Sequence, residues 1–396
     1  MQKSSRRYYS PLASFFDTDL WALSTTCLNS SFTAGSLTAE PGIMNPPGCM
    51  GLVEHSPFGL DVKLRPCKGI AVRLERSSYT SEVEMDQQQF DGLVKLFEEA
   101  KDGSGNPLQM QYLLVKQGSN EYFHAFAGHT GPSDIRSISK TVLALVLGTV
   151  IESRDDLTED TPVWPALKNL CEVKDPENLE KWQHIKIKHL MNHTIGFDRI
   201  LMMRGDIQNM DPAGYINYIV NEPIVHEAGT YYLYSNAGFY LMSIYLQELL
   251  GEDLEDYIRR ALFDPLGITD YRWERYGKYL AGATRLWLLP HDMLKIGELL
   301  LEGGKGIVSP QWIERMKQFT AFTPGVDTPT NPYFRRHAYG SSLWLSNRGN
   351  IFFGHGTDGQ TLAIIPERNA VIVTTATQKD VKRLEELVDK AVELLY

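Results

Sequence analysis

The hydrophobic period changes in a fixed order along the chain, and that order restricts the fold more than any other feature. From Met85 onward Phe90, Leu93, Val94, Leu96 and Phe97 recur at helical spacing until Gly103-Ser104-Gly105, which predicts an amphipathic helix. Gln111 to Lys116 and Glu121 to Ala127, either side of Gln117-Gly118-Ser119-Asn120, predict a β-hairpin. An apolar helix is expected over Ser137 to Glu152. Between about 153 and 270 helical patches (His184 to Met191, Tyr215 to Val220, Ala237 to Leu250) are joined by Pro- and Gly-containing connections. Strand patterns return at Ser341 to Ser346, Asn350 to Phe353, Thr361 to Ile365 and Ala370 to Thr375, and Val381 to Leu395 closes the chain as a helix. Strands on both sides of a helical middle predict an α+β fold, one antiparallel β-sheet flanked by helices with an inserted, mostly helical subdomain. The expected sheet domain is 81–152 with 271–396, and the helical subdomain is 153–270. No internal repeat is present.

Residues 1–80 are rich in Ser, Thr, Gly and Pro, with Pro41, Gly42, Pro46, Pro47 and Gly48 crowded together, so an irregular or β-rich extension is expected. Within it Gly69 to Glu75 carries a strand-like alternation. Across all 396 residues, 43% hydrophobic and 22% charged side chains exclude collagen-like, coiled-coil and wholly disordered chains. No run of 18 apolar residues offers a membrane span. A formal charge of -10 without a Lys/Arg cluster argues against nucleic acid as a partner. Lys3, Arg6 and Arg7 are followed by Tyr8 to Leu20, which lacks the apolar stretch of a signal peptide, so the expected location is cytoplasmic. Cys27, Cys49, Cys67 and Cys171 form no Cys-x-x-Cys and no zinc-ligand spacing, as isolated thiols of a reduced compartment would; export would leave a disulfide among the first three open.

Three short motifs carry chemistry. Ser137-Ile138-Ser139-Lys140 is the only Ser-x-x-Lys, placed where the loop Gly131-Pro132-Ser133-Asp134 gives way to a helix. Three residues are nearly one turn, so the Lys140 amine can reach the Ser137 hydroxyl at a positive helix N-terminus, the geometry of an activated nucleophile. A solvated lysine with pKa near 10.4 is neutral in only about one molecule in 2,500 at pH 7, so burial must lower it. The plain alternative is a capped helix with a surface lysine. Tyr234-Ser235-Asn236, just before an apolar helix, would present Tyr234 and Asn236 side by side; the alternative is an aromatic core cluster with a turn asparagine. Tyr215-Ile216-Asn217 competes but reads as helix interior. Phe352 to Gln360 holds Gly354, Gly356 and Gly359 in a Gly-x-Gly-x-x-Gly, yet a strand follows, which leaves no helix N-terminus for a pyrophosphate. Those glycines suit close backbone approach to a ligand and an amide aimed at an oxyanion, while His355 reads equally as a strand-end histidine.

In this order the motifs resemble the serine β-lactamase and penicillin-binding-protein superfamily, most closely the class C β-lactamase-like esterases and amidases, including the 6-aminohexanoate-dimer hydrolases. His189 to Phe197, Gly282 to Gly304 and Gly359 to Val373 are similar to further family segments, and the resemblance covers about 85–396. It implies a β-lactamase/transpeptidase-like fold with Ser137 as acylated nucleophile, Lys140 as proton acceptor and Tyr234 as the base that assists Lys140 and reprotonates the leaving group. Asn236 would orient substrate, and His355 stands where β-lactamases carry the Lys of Lys-Thr-Gly. The turn beginning at Gly356 would supply an oxyanion amide from Thr357 or Asp358 beside that of Ser137. With His355 for that lysine, the permanent cation for a β-lactam carboxylate is gone, as in esterases and amidases. Ile195 and Leu289 also depart from the family pattern, at positions that look structural. The implied function is hydrolysis of a small-molecule ester or amide through an acyl-enzyme, with no metal or cofactor. The alternatives are acyl transfer from the same intermediate, or a non-catalytic binding relic. Tyr231, Tyr232, Trp287, Tyr333, Phe334 and Trp344 are candidates for an acyl-binding cleft.

Overall fold

Asp86 opens the main body: its carboxylate accepts from the Gln89 N–H while the Gln89 side chain accepts from the Asp86 N–H, a capping box that starts α1 (Gln87–Glu99). The structure is a computed structural model that describes residues 54–56, 59–61, 84–322, 338–346 and 350–396. Contacts divide the chain into 1–78 and 79–396. In the first unit Glu54–Ser56 pairs antiparallel with Gly59–Asp61; Gly69 to Glu75, Cys27, Cys49 and Cys67 lie outside the described residues.

In the second unit α1 is followed by β1 (Met110–Gln117), β2 (Asn120–Ala125), α2 (Ser139–Glu152), α3 (Ala237–Leu250) and α4 (Pro290–Leu301). Then come β3 (Ala321–Phe322), β4 (Ala338–Tyr339), β5 (Trp344–Leu345), β6 (Phe352–His355), β7 (Thr361–Ile365), β8 (Ala370–Ala376) and α5 (Lys382–Glu393). Short helices such as Pro176–Trp182, Ile187–Met191 and Tyr215–Val220 lie between α2 and α3. The strands form one antiparallel sheet in the order β3-β4-β5-β6-β7-β8-β1-β2. The last strand thus pairs with the first, Val373 opposite Leu114 and Ile372 opposite Val115. A smaller sheet joins Ser133–Asp134, Leu286–Leu288 and Arg272–Trp273.

Alternation along the strands supplies both cores. Leu114, Phe352, Leu362, Ile364, Val371 and Val373 face the side of α2, α3 and α4. Leu113, Val115, Phe353, Ala363, Ile365 and Ile372 face the side of α1 and α5. The expected α+β architecture, helices on both faces of an antiparallel sheet, is therefore what residues 84–396 adopt where described. Two expected elements change. The helix expected from Ser137 begins at Ser139, because Arg136 has a left-handed φ of 51° and Arg136–Ile138 form a 3₁₀ turn. The strand expected over 341–346 shrinks to Trp344–Leu345, since Ser342 has a φ of 75° and turns the chain.

Nearly all of α2 is buried, and α3 packs against Ile187–Met191 so closely that a Cβ on Gly238 would lie 2.4 Å from the Leu190 carbonyl oxygen. Backbone cannot yield as a flexible side chain can. Gly238→Ala is therefore expected to destabilise the protein by about 1–3 kcal/mol, read as a lower urea midpoint with an unchanged slope.

Candidate active site

Three features fix the turn that carries Ser137. The Arg136 guanidinium pairs with Asp134 at 2.9 Å and Asp358 at 2.7 Å, and the Arg136 backbone N–H donates to Asp134 Oδ1. Ser139, fully buried, donates from Oγ to the Arg136 carbonyl and accepts from the Leu286 N–H. Gly354 lets β6 come close: a Cβ there would sit 3.3 Å from Ile138. Left-handed backbone costs a non-glycine residue about 1–3 kcal/mol, so these contacts hold Arg136 where it would not otherwise rest.

Lys140 follows one turn later and is only 1% exposed. Its amine lies 3.1 Å from Ser137 Oγ, 2.8 Å from Asn236 Oδ1 and 2.9 Å from the Ala283 carbonyl, with the Tyr234 ring centroid at 4.9 Å. Burial lowers its pKa to about 7, so near neutrality a large share of the amine is unprotonated. A neutral amine has two N–H bonds and one lone pair. Asn236 Oδ1 and the Ala283 carbonyl can only accept, so they take the two N–H bonds, and the lone pair is left for the Ser137 hydroxyl. That arrangement can withdraw the serine proton.

Asn236 precedes α3, and its amide is fixed by its neighbours: Nδ2 donates to the Met202 carbonyl and faces Met203 Sδ at 3.6 Å, which turns Oδ1 to Lys140. Ser235 points the other way, donating to the Leu201 carbonyl and accepting from the Leu201 N–H. Tyr234 stacks on Trp344 and lies against His193 and Tyr339. The competing Asn217 sits inside a helix, as expected, and accepts from the Glu172 N–H.

At the end of β6 the His355 Nε2 is 3.0 Å from Glu385 of α5, on the sheet face that carries Phe353. The turn beyond is tied internally: Gly356 N–H donates to the Gln360 carbonyl and Asp358 N–H to Gln360 Oε1. Gln360 Nε2 in turn donates to the Ala376 carbonyl. Thr357 is the exposed residue of this turn. Ser137, Lys140 and Asn236 thus touch directly, Tyr234 lies against the amine, and Asp358 joins through Arg136. The His355 ring instead meets α5. Of the aromatic candidates Tyr232 and Trp344 belong to the cluster around Tyr234, Trp287 lies under the Arg272 guanidinium, and Tyr333 and Phe334 are outside the described residues. Sequence reasoning missed Arg136, Gln360 and Ala283; the last contributes only a carbonyl, which no side chain announces. Among the described residues no group of three or more His, Cys, Asp or Glu is placed to hold a metal, and no helix is long and apolar enough to cross a membrane.

The sequence profile of the beta-lactamase family matches residues 109–395. A monacolin J acid methylbutanoyltransferase of Aspergillus terreus is 27% identical over 127 residues, 30% of either chain. The acyltransferase mokF of Monascus pilosus is 22% identical over 227 residues, 47% of this chain and 53% of the relative. The chain thus spans only 30% and 53% of these curated relatives' lengths. A D-amino acid amidase of Ochrobactrum anthropi superposes with a TM-score of 0.57 at 17% identity, over 77% of this chain and 98% of that one, a likeness of fold.

Removing the Ser139 hydroxyl would take from the buried Leu286 N–H its side-chain acceptor and leave the Arg136 carbonyl only the Ser139 N–H. Ser139→Ala is expected to cost about 1–3 kcal/mol in chemical denaturation, an effect near zero speaking against this anchoring of the turn.

Proposed function

Since the chain belongs to the beta-lactamase family, we propose that it is a serine hydrolase that cleaves an ester or amide bond of a small molecule through an acyl-enzyme on Ser137. The buried Lys140 amine 3.1 Å from Ser137 Oγ, with both other directions filled by acceptors, carries this reading. Ser137 Oγ bonds to the substrate carbonyl carbon as its proton passes to Lys140 Nζ. The oxygen of the tetrahedral intermediate takes hydrogen bonds from the Ser137 and Thr357 N–H groups. Thr357 is favoured over Asp358, whose N–H already serves Gln360. Collapse breaks the bond to the alcohol or amine, which leaves with the proton returned through Lys140 and Tyr234, and water then cleaves the Ser137 ester. Asn236 orients the substrate: the Met203 sulfur on its Nδ2 is a weak acceptor that a substrate carbonyl can replace. His355 and Gly356 shape the turn that presents Thr357, and Asp358 secures it to Arg136.

On this reading the catalytic serine sits at the seam between 81–152 with 271–396 and the helical part 153–270, and the protein works in the cytoplasm. A second reading has a specific basis: both curated relatives are named acyltransferases. The acyl group would then pass to an alcohol or amine in place of water. Product analysis with and without an added alcohol separates the two.

Intact-mass measurement after exposure to a fluorophosphonate or a small p-nitrophenyl ester should show one adduct on the wild type and none on Ser137→Ala. An adduct that survives the substitution moves the nucleophile elsewhere. Adduct formation should also rise about tenfold per pH unit below about 7 and level above it, because only the deprotonated Lys140 amine accepts the serine proton. Lys140→Arg keeps a cation that does not titrate in this range, and should lose that limb together with about 10² to 10⁴ in rate.

A further inference from the structure

The chemistry above leaves a buried imidazole beside the site without a task. His193 is 4% exposed and has a left-handed φ of 57°. Its carbonyl accepts from the Leu233 N–H at 2.9 Å, and its Nδ1 accepts from the Ser235 N–H at 3.4 Å. One residue therefore grips the chain immediately before and within Tyr234-Ser235-Asn236. A backbone N–H aimed at Nδ1 places the ring proton on Nε2, which lies 3.1 Å from the Tyr339 hydroxyl and donates to it. The ring also packs on Tyr234, with centroids 4.4 Å apart, and on Phe239 at 5.4 Å.

We infer that His193, as its Nε2–H tautomer, is a positioning residue that fixes Tyr234 and Asn236 against the Lys140 amine. The inference rests on the proposed Ser137–Lys140 pair. A shift of the 233–236 segment would carry the Tyr234 ring off the amine and Asn236 Oδ1 off its 2.8 Å bond. The imidazole has to stay neutral for this task, since an Nδ1 proton would point at the Ser235 N–H. Burial and the Lys140 cation both hold its pKa well below the ordinary histidine value. The titratable side chains around it are Lys140, Tyr232, Tyr234 and Tyr339.

Two replacements separate position from bulk. Asparagine tolerates left-handed backbone and keeps an acceptor near Nδ1; glycine tolerates the backbone and removes the ring. Rates of acylation by a small p-nitrophenyl ester across pH 5–9, read as p-nitrophenolate release, are compared with melting curves for wild type, His193→Asn, His193→Gly and Tyr339→Phe. The expectation is acylation within a few-fold of wild type for His193→Asn, and about 100-fold slower for His193→Gly with the midpoint displaced from about 7, as for a displaced catalytic group. Tyr339→Phe, which keeps the fold's bulk, should slow acylation by about three- to tenfold and move the midpoint in the same direction. A folded His193→Gly with the wild-type rate and midpoint overturns the inference. Should His193→Gly not fold, an unchanged profile in Tyr339→Phe overturns it. No adduct on the wild type itself overturns the Ser137 reading and this inference with it, whereas an adduct with unaltered variants overturns this inference alone.

Discussion

An amine taken out of water must find acceptors elsewhere in the chain, and the burial of Lys140 is the constraint on which the site depends. Its three partners come from one helical turn away, from the residue preceding α3, and from the connection ahead of Leu286–Leu288. None is a carboxylate. A countercharge at the Asn236 position would hold the ammonium in its charged form and leave no lone pair toward Ser137, as buried ion pairs do. Neutral acceptors satisfy the N–H bonds without that electrostatic pull, so burial dominates and the pKa falls to about 7.

Bringing those partners together is the work of the sheet and its two cores. Alternating side chains on β6, β7, β8 and β1 supply one apolar face for α2, α3 and α4 and another for α1 and α5. With α2 and α3 seated on one face, Lys140 and Asn236 meet although 96 residues separate them. The same alternation places Gly354 against Ile138 and sends the next side chain, His355, to Glu385. Asp358 then closes the arrangement through Arg136, joining the β6–β7 turn to the residue beside Ser137.

Where the hydrophobic period was clean the fold could be read from the sequence: Tyr215–Val220, Ala237–Leu250 and Thr361–Ile365 have the expected bounds. It failed where backbone conformation overrode pattern. Nothing in the residue type of Arg136 or Ser342 signals a left-handed φ, and one of the two ion pairs that hold Arg136 comes from Asp358, more than two hundred residues away. In the site, the contact of Ser137 with Lys140 was legible because three residues make nearly one helical turn. The Ala283 carbonyl and the grip of His193 on Ser235 were not, since backbone partners leave no trace in side-chain identity. The direction of His355 needed the strand register, which a motif does not contain.

One property of the lysine cage bears on the proposed acyl chemistry. When Lys140 is an ammonium, all three neighbours serve as acceptors, Ser137 among them; when it is neutral, the same Asn236 and Ala283 contacts persist and only the Ser137 hydrogen bond reverses direction. A proton can therefore move between Ser137 and Lys140 without rearrangement of either partner, which keeps reorganisation small in acylation and in its reversal. This symmetry does not distinguish water from an alcohol as the second nucleophile, because each offers one O–H to the same lone pair. On the Ser137 reading, the choice between hydrolysis and transfer lies in what can approach the acyl carbon, and not in the Ser137–Lys140–Asn236 contact.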